Sequence, residues 1–228
     1  MRLRKERSQI VRFGQRLLSA GLTTGSGGNL SVFRRDASLV AITPSGVEYP
    51  DLRPGDVVLV DPEGQVREGA LCPSSELALH LAFYGARPDV AAVVHTHSPW
   101  AATLACLGWE LPAVHYLVGF AGRKVPLAPY ATFGTPELAR NAVEALGDRN
   151  AVLLANHGLA AVGPTLAQAF SVAEEIEWVA RVYLQAKAVG EPAILPDEEM
   201  GRVVERFRTY GQRGEVLSRE DRRTGQQR

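Results

Sequence analysis

Short β-branched runs recur along this chain, separated sometimes by a tight turn and sometimes by a whole helix. That alternation constrains the fold more than any other feature. Strands joined by a few residues pair antiparallel, whereas helices between strands must cover the faces of a sheet. LSVFRR meets ASLVAIT across Arg35-Asp36, and VVLVDPEGQVREG reads as strand, turn, strand. AVLLANHGLAAVG reads as a hairpin or bent strand pair around His157-Gly158. DVAAVVHTH is a strand, PAVHYLV reads as another, and KVPLAPYAT as a proline-bearing strand edge. Residues 3–20 carry Ile10, Phe13 and Leu17 at helical spacing, closed by Gly21. Further helices are expected from Pro73-Ser74-Ser75-Glu76 through Tyr84, and from Pro99 to about Leu107. Others are TPELARNAVEAL with Thr135 as cap, a long one from the Thr165/Gln168 capping pattern to about Val189, and a last one over roughly 197–209. The sum is one α/β domain with a mixed, largely antiparallel sheet covered on both faces.

Composition narrows the partners. Hydrophobic residues make up 46% of the 228, enough for a sizeable core. The formal net charge is +0, so no long-range field favours nucleic acid or an acidic membrane. An anionic ligand must then be captured by local geometry. Two cysteines, Cys72 and Cys106, are too few for a disulfide framework or a cysteine zinc site, which fits a reducing cytoplasm. No apolar run approaches the ~20 residues that span a bilayer. The opening MRLRKERSQIVRFGQRLL has no signal-peptide core, so a cytoplasmic location is expected.

The histidines carry the strongest chemical signal. Side chains two apart on a strand face the same way, so His95 and His97 in VVHTHS project from one face and can chelate one cation. Spacing does not select the third ligand: His157, at the end of VLLAN, His80 and His115 all remain open. Three imidazoles without a cysteine suit a catalytic metal site with a free position for water or substrate. Three segments are rich in small residues: Gly25-Ser26-Gly27-Gly28-Asn29, Thr43-Pro44-Ser45-Gly46, and Ser74-Ser75 at a helix start. Glycine lets the main chain approach an anion, and free N–H groups at a helix start favour negative charge. Together the three could cradle a phosphate without a lysine. Glu76 is either a first-turn residue matched to the helix dipole or a metal ligand that also acts as general acid/base.

GSGGNLSV, ITPSG, CPSSELALH, AVVHTHS and LANHG, in this order and spacing, resemble the class II aldolase and sugar-phosphate epimerase family over residues 8 to 212. PAVHYLV, YATFGTPEL and FRTYGQR resemble in particular its branch acting on L-fuculose 1-phosphate. The resemblance implies a three-layer α/β/α domain over 1–212; the polar residues after it read as a disordered tail over 213–228. It implies one zinc per subunit, or another divalent cation, on His95, His97 and His157, with Glu76 as resting ligand and catalytic carboxylate. Ser26, Gly28, Asn29, Ser45, Gly46, Ser74 and Ser75 match the phosphate-binding positions. Tyr116 matches the tyrosine that handles the aldehyde oxygen, and Phe133 and Tyr210 match residues shaping the aldehyde end. The implied reaction cleaves a ketose 1-phosphate, such as L-fuculose 1-phosphate, to dihydroxyacetone phosphate and a small aldehyde such as L-lactaldehyde. Alternatives on the same scaffold are a deoxy-pentulose-phosphate aldolase, a methylthioribulose-1-phosphate dehydratase and a pentulose-phosphate 4-epimerase; the glutamate at 76, where epimerases resemble an aspartate pattern, argues against the last. A non-enzymatic zinc or sugar-phosphate binding domain is the remaining reading. The family also implies a cyclic homotetramer with sites between subunits.

Overall fold

Except for one exposed edge strand, the strands of the sheet alternate between two cores, and that alternation fixes which way the site residues point. The structure, a computed structural model, describes residues 1–208. In chain order it runs α1 (Arg4–Ser19), β1 (Asn29–Arg34), β2 (Leu39–Ile42), β3 (Val58–Val60), β4 (Val66–Glu68), α2 (Leu77–Ala86), β5 (Ala92–Thr96) and α3 (Pro99–Leu107). It continues with β6 (Leu127–Ala128), α4 (Pro136–Leu146), β7 (Ala151–Leu154), β8 (Gly158–Gly163), α5 (Leu166–Val189) and α6 (Asp197–Arg208). The strands form one sheet in the order β4-β3-β2-β1-β5-β8-β7-β6. All pairings are antiparallel except β6 with β7.

On one face Leu30, Ala92, Val94, Leu153, Leu159 and Ala161 pack with Ile10, Phe13 and Leu17 of α1 and Phe170, Ala173 and Ile176 of α5. On the other, Val40, Val58, Val93, Val152, Ala160 and Val162 pack with Leu79 and Phe83 of α2 and Leu138 and Ala142 of α4. This is the three-layer α/β/α arrangement. Each fully buried Leu, Val or Phe contributes ~1.5–3 kcal/mol of apolar burial, so both faces are firmly closed.

Two local expectations are corrected. The second helix begins at Leu77, four residues after Pro73. The stretch before it is committed elsewhere: the Ser74 N–H donates to the Thr43 carbonyl at 3.0 Å, and Pro44 bridges Pro73. Glu76 therefore sits just outside the helix, and its carboxylate caps nothing. PAVHYLV is not a strand; Tyr116–Phe120 form a short 3-10 helix, nucleated where the Leu117 N–H donates to the His115 Nδ1 at 3.3 Å. Gly119 in that turn packs so closely on Val203 and Phe207 of α6 that tertiary contact overrides strand propensity. Among the described residues no helix is long and apolar enough to cross a membrane. Tyr210 and the expected tail at 213–228 lie outside the described residues.

Candidate metal centre and active site

The centre of the sheet carries the first ligand. β5 lies between β1 and β8, with His95 opposite Asn29 on one side and Ala160 on the other. His95 shares a face with Val93, the face that α2 covers. His97 follows the last residue of β5 and turns to the same side; His157 lies in the turn between β7 and β8. The three rings converge, with centroids 4.7 to 5.1 Å apart. Glu76 reaches them from the mouth of α2: its Oε2 is 3.0 Å from His95 Nε2, and its Oε1 is 3.5 Å from His157 Nε2. One donor atom from each of Glu76, His95, His97 and His157 lies within 4.8 Å of all the others.

Two glycines make this approach possible. Gly28 has φ +69°, and a Cβ there would sit 2.5 Å from the His95 carbonyl oxygen. A Cβ on Gly158 would overlap the Thr96 carbonyl oxygen and press on the His97 ring. Both neighbours of β5 thus close onto the histidine segment only because a side chain is missing.

Hydrogen bonds orient the donors. The His95 Nδ1–H donates to the Leu159 carbonyl at 3.0 Å, which turns Nε2 toward Glu76 and His97. Glu76 Oε2 accepts from Asn29 Nδ2 at 2.9 Å. Glu76 Oε1 is buried with no hydrogen-bond partner, as is Thr23 Oγ1. Burial would raise the Glu76 pKa, but the charges of His95 and His157 and bonds from His95 and Asn29 hold it far below the usual carboxylate range. Burial, then the charge of His95, pushes His97 and His157 down to about 4, so both rings offer neutral nitrogens near pH 7.

A buried carboxylate oxygen left bare where three imidazole rings converge is costly unless a cation completes it, roughly 1–3 kcal/mol for the orphaned group. The donor set therefore fits a divalent cation. Nitrogen and carboxylate ligands without thiolate suit zinc and its first-row neighbours.

Beside this cluster lies a cleft of about 380 Å³. Ser26, Gly28, Asn29, Ser45, Gly46, Ser74, Ser75, Glu76, Phe133, His97 and His157 line it, so the three small-residue segments meet on one side of the ligand cluster. They are tied together by the Ser74–Thr43 bond and by the Ser45 N–H donating to the Cys72 carbonyl at 3.0 Å. Tyr130 and Asn156 line the cleft as well; they fall within YATFGTPEL and LANHG, but the sequence assigns neither a role. Tyr116 is not brought to its own chain's cleft; it stands half exposed, stacked 6.2 Å from Phe207. Of the two other candidate third ligands, His115 is engaged with the 3-10 turn, and His80 is buried and bonded to Asn29 and Ser31. Lys124 and Lys187 are paired with Glu110 and Glu191.

A larger cleft of about 990 Å³ opens between the 3-10 turn, the 147–150 turn and α6, lined by Arg87, Arg123 and Arg149 among others. It holds none of the ligand cluster.

Known proteins share this layout. The family model described as class II aldolase and adducin N-terminal domain matches residues 8–184. The 5-deoxy-D-ribulose 1-phosphate aldolase of Bacillus thuringiensis serovar kurstaki is 55% identical over 93% of this chain and 100% of its own length. The L-fuculose phosphate aldolase of Escherichia coli K12 is 42% identical over 90% of this chain and 95% of its own. A solved L-fuculose 1-phosphate aldolase superposes with a TM-score of 0.88 at 46% identity, covering 90% of this chain and 96% of that one. The chain belongs to the class II aldolase and adducin N-terminal domain family.

Proposed function

We propose that this protein is a zinc-dependent aldolase that cleaves a 5-deoxy-pentulose 1-phosphate between C3 and C4, releasing dihydroxyacetone phosphate and acetaldehyde. The observation that carries the aldolase reading is Glu76: one carboxylate oxygen is pinned by Asn29 and the other is bare, among three imidazoles and beside a cleft of small residues. The choice of ketose rests on the relatives. The 55% identity to a 5-deoxyribulose 1-phosphate aldolase favours it over L-fuculose 1-phosphate, whose aldolase shares 42%. The two ketoses present the same phosphate half and differ in the aldehyde released, two carbons against three.

His95, His97, His157 and, at rest, Glu76 would hold the cation. When bound, it supplies Lewis acidity for the charge that develops on the ketose oxygens. The loops around Ser26–Asn29, Ser45–Gly46 and Ser74–Ser75 hold the phosphate through hydroxyl and main-chain N–H groups. As the C3–C4 bond breaks, the C4 hydroxyl loses its proton and C4 becomes the aldehyde carbon. Glu76, ionised at rest, takes up a proton from solvent once substrate displaces it and delivers it to C3 through Oε1, completing dihydroxyacetone phosphate and returning to the carboxylate; the same oxygen removes that proton in the synthetic direction. Tyr116 relays the C4 hydroxyl proton, accepting it as its own phenolic proton passes to solvent, and serves the site of a neighbouring copy in a homotetramer, because it lies outside its own chain's cleft. Phe133 and Tyr130, both exposed at the rim, form an apolar wall for the methyl end of the aldehyde.

The test is a panel of 5-deoxyribulose, 5-methylthioribulose and L-fuculose 1-phosphates, with released dihydroxyacetone phosphate measured. The highest kcat/KM is expected for 5-deoxyribulose 1-phosphate. Faster cleavage of L-fuculose 1-phosphate would transfer the assignment to that substrate. Loss of water from 5-methylthioribulose 1-phosphate with all carbons retained, and no triose from any member, would refute the aldolase reading.

A further inference from the structure

Behind the ligand cluster two polar stripes face each other across the buried sheet face. Asn29 and Ser31 are two apart on β1, and Glu76, His80 and Tyr84 step by four along α2 and its mouth. Their side chains form one unbroken chain. Tyr84 Oη lies 2.6 Å from Ser31 Oγ, Ser31 Oγ 2.6 Å from His80 Nδ1, His80 Nε2 2.5 Å from Asn29 Oδ1, and Asn29 Nδ2 2.9 Å from Glu76 Oε2. Ser31 and His80 are fully buried, and the other three at most 5% exposed.

The direction of each proton follows from the carboxylate end. A carboxylate only accepts, so the Asn29 amide must turn Nδ2 to Glu76 and Oδ1 to His80. Oδ1 also only accepts, so His80 must carry its proton on Nε2. Burial, then the charge of His95, keeps the ring neutral, its pKa pushed down to about 3. A neutral ring protonated on Nε2 leaves Nδ1 as an acceptor, which the Ser31 hydroxyl fills, and the Ser31 oxygen accepts in turn from Tyr84. All four bonds point toward Glu76, and such aligned chains reinforce one another.

We propose that His80 is a positioning residue for the reaction: fixed as its Nε2–H tautomer by Ser31 and Tyr84, it locks the Asn29 amide so that Oε2 of Glu76 is restrained and Oε1 is left to move the proton. The inference rests on the aldolase reading for its kinetic consequence but not for its geometry. Asn29 then has two tasks, lining the phosphate cleft on one side and clamping the carboxylate on the other. A free amide could rotate by half a turn and set its oxygen against Glu76, and the ring of His80 forbids this.

The experiment compares the wild type with His80→Leu and His80→Gln. Gln can place its amide N–H near the position of Nε2; Leu cannot. The readout is solvent hydrogen exchange into dihydroxyacetone phosphate per bound metal, together with metal content. His80→Leu is expected to lower exchange per bound metal roughly 10–100-fold, the range seen when a supporting hydrogen bond is lost, and His80→Gln to restore most of it. A wild-type rate per bound metal in His80→Leu would overturn the proposal. Neutron diffraction on the wild type gives an answer independent of activity and of how the variants fold. A deuteron on His80 Nε2 and none on Nδ1 supports the proposal; the opposite tautomer or an imidazolium overturns it. If the wild type shows neither exchange nor cleavage, the aldolase reading fails, while the neutron result still decides the tautomer.

Discussion

Replacing Gly28 by alanine tests how the site is assembled, because two separable costs act there. The first is conformational: φ is +69°, where an L side chain costs roughly 1–2 kcal/mol. The second is a collision. The new Cβ lies 2.5 Å from the His95 carbonyl oxygen and must retreat about 0.9 Å to reach the 3.4 Å at which ordinary contact begins. That retreat pries apart β1 and β5 where Asn29 pairs His95, weakening a ladder bond of about 1 kcal/mol. Gly21 provides the control, since it has the same φ of +69° with nothing within 4 Å of its Cβ. Gly21→Ala should therefore lose only the conformational part, and Gly28→Ala about 2–3 kcal/mol. A displacement near 1 Å at His95 or Asn29 should also cut turnover by roughly 100-fold. The assay is denaturant unfolding of both variants at matched protein concentration, with zinc affinity measured by chelator competition. Equal stability losses with unaltered zinc affinity in Gly28→Ala would refute the claim that strand contact sets the ligand geometry.

Three further outcomes follow from the same geometry. Glu76→Gln keeps an acceptor for Asn29 and leaves all three imidazoles, so zinc should stay; solvent hydrogen exchange into dihydroxyacetone phosphate should fall roughly 10²–10⁴-fold, and full exchange would remove Glu76 from the base role. His80 titrates near 3 when folded against 6.5 in the unfolded chain, so only the unfolded chain gains its proton as pH drops below 6.5. Stability should thus fall between pH 6.5 and 5 by roughly 2 kcal/mol through this group, and metal-stripped His80→Leu should show the shallower pH slope in urea unfolding; an identical slope would contradict the assignment. Glu177 accepts the Trp100 and Ala101 N–H groups at 2.9 and 2.8 Å, anchoring the first turn of α3 just past His97. Glu177→Ala should cost roughly 2–4 kcal/mol in thermal or denaturant unfolding, Glu177→Gln should recover part of it, and an unchanged midpoint in Glu177→Ala would show that the cap is idle.

The sequence conveys the sheet and the His95–His97 pair because both rest on periodicity. β-branched runs joined by short turns pair antiparallel, and residues two apart share a face whatever else the chain does. Other features depend on partners distant in sequence. The start of α2 is hidden because Cys72–Ser74 are bridged to Thr43–Ser45, which no local pattern reveals. The 3-10 turn at Tyr116 depends on α6 packing over Gly119. His80 reads as an ordinary helix residue when its helix is considered alone. The signal that could have found it is joint: a polar pair at Asn29 and Ser31 on a strand otherwise apolar up to its last residue, Arg34, and a polar stripe at Glu76, His80 and Tyr84 along an otherwise apolar helix and its mouth. Two such stripes are tolerated in a core only when they satisfy each other.

The most direct measurement strips the protein of metal, adds zinc back in steps, and follows release of dihydroxyacetone phosphate from 5-deoxyribulose 1-phosphate. Turnover should rise in proportion to zinc and level off at one ion per chain, with no such rise in His95→Ala. Full turnover by the stripped protein, or an unimpaired zinc response in His95→Ala, would contradict a cation held by the three histidines as the source of the chemistry.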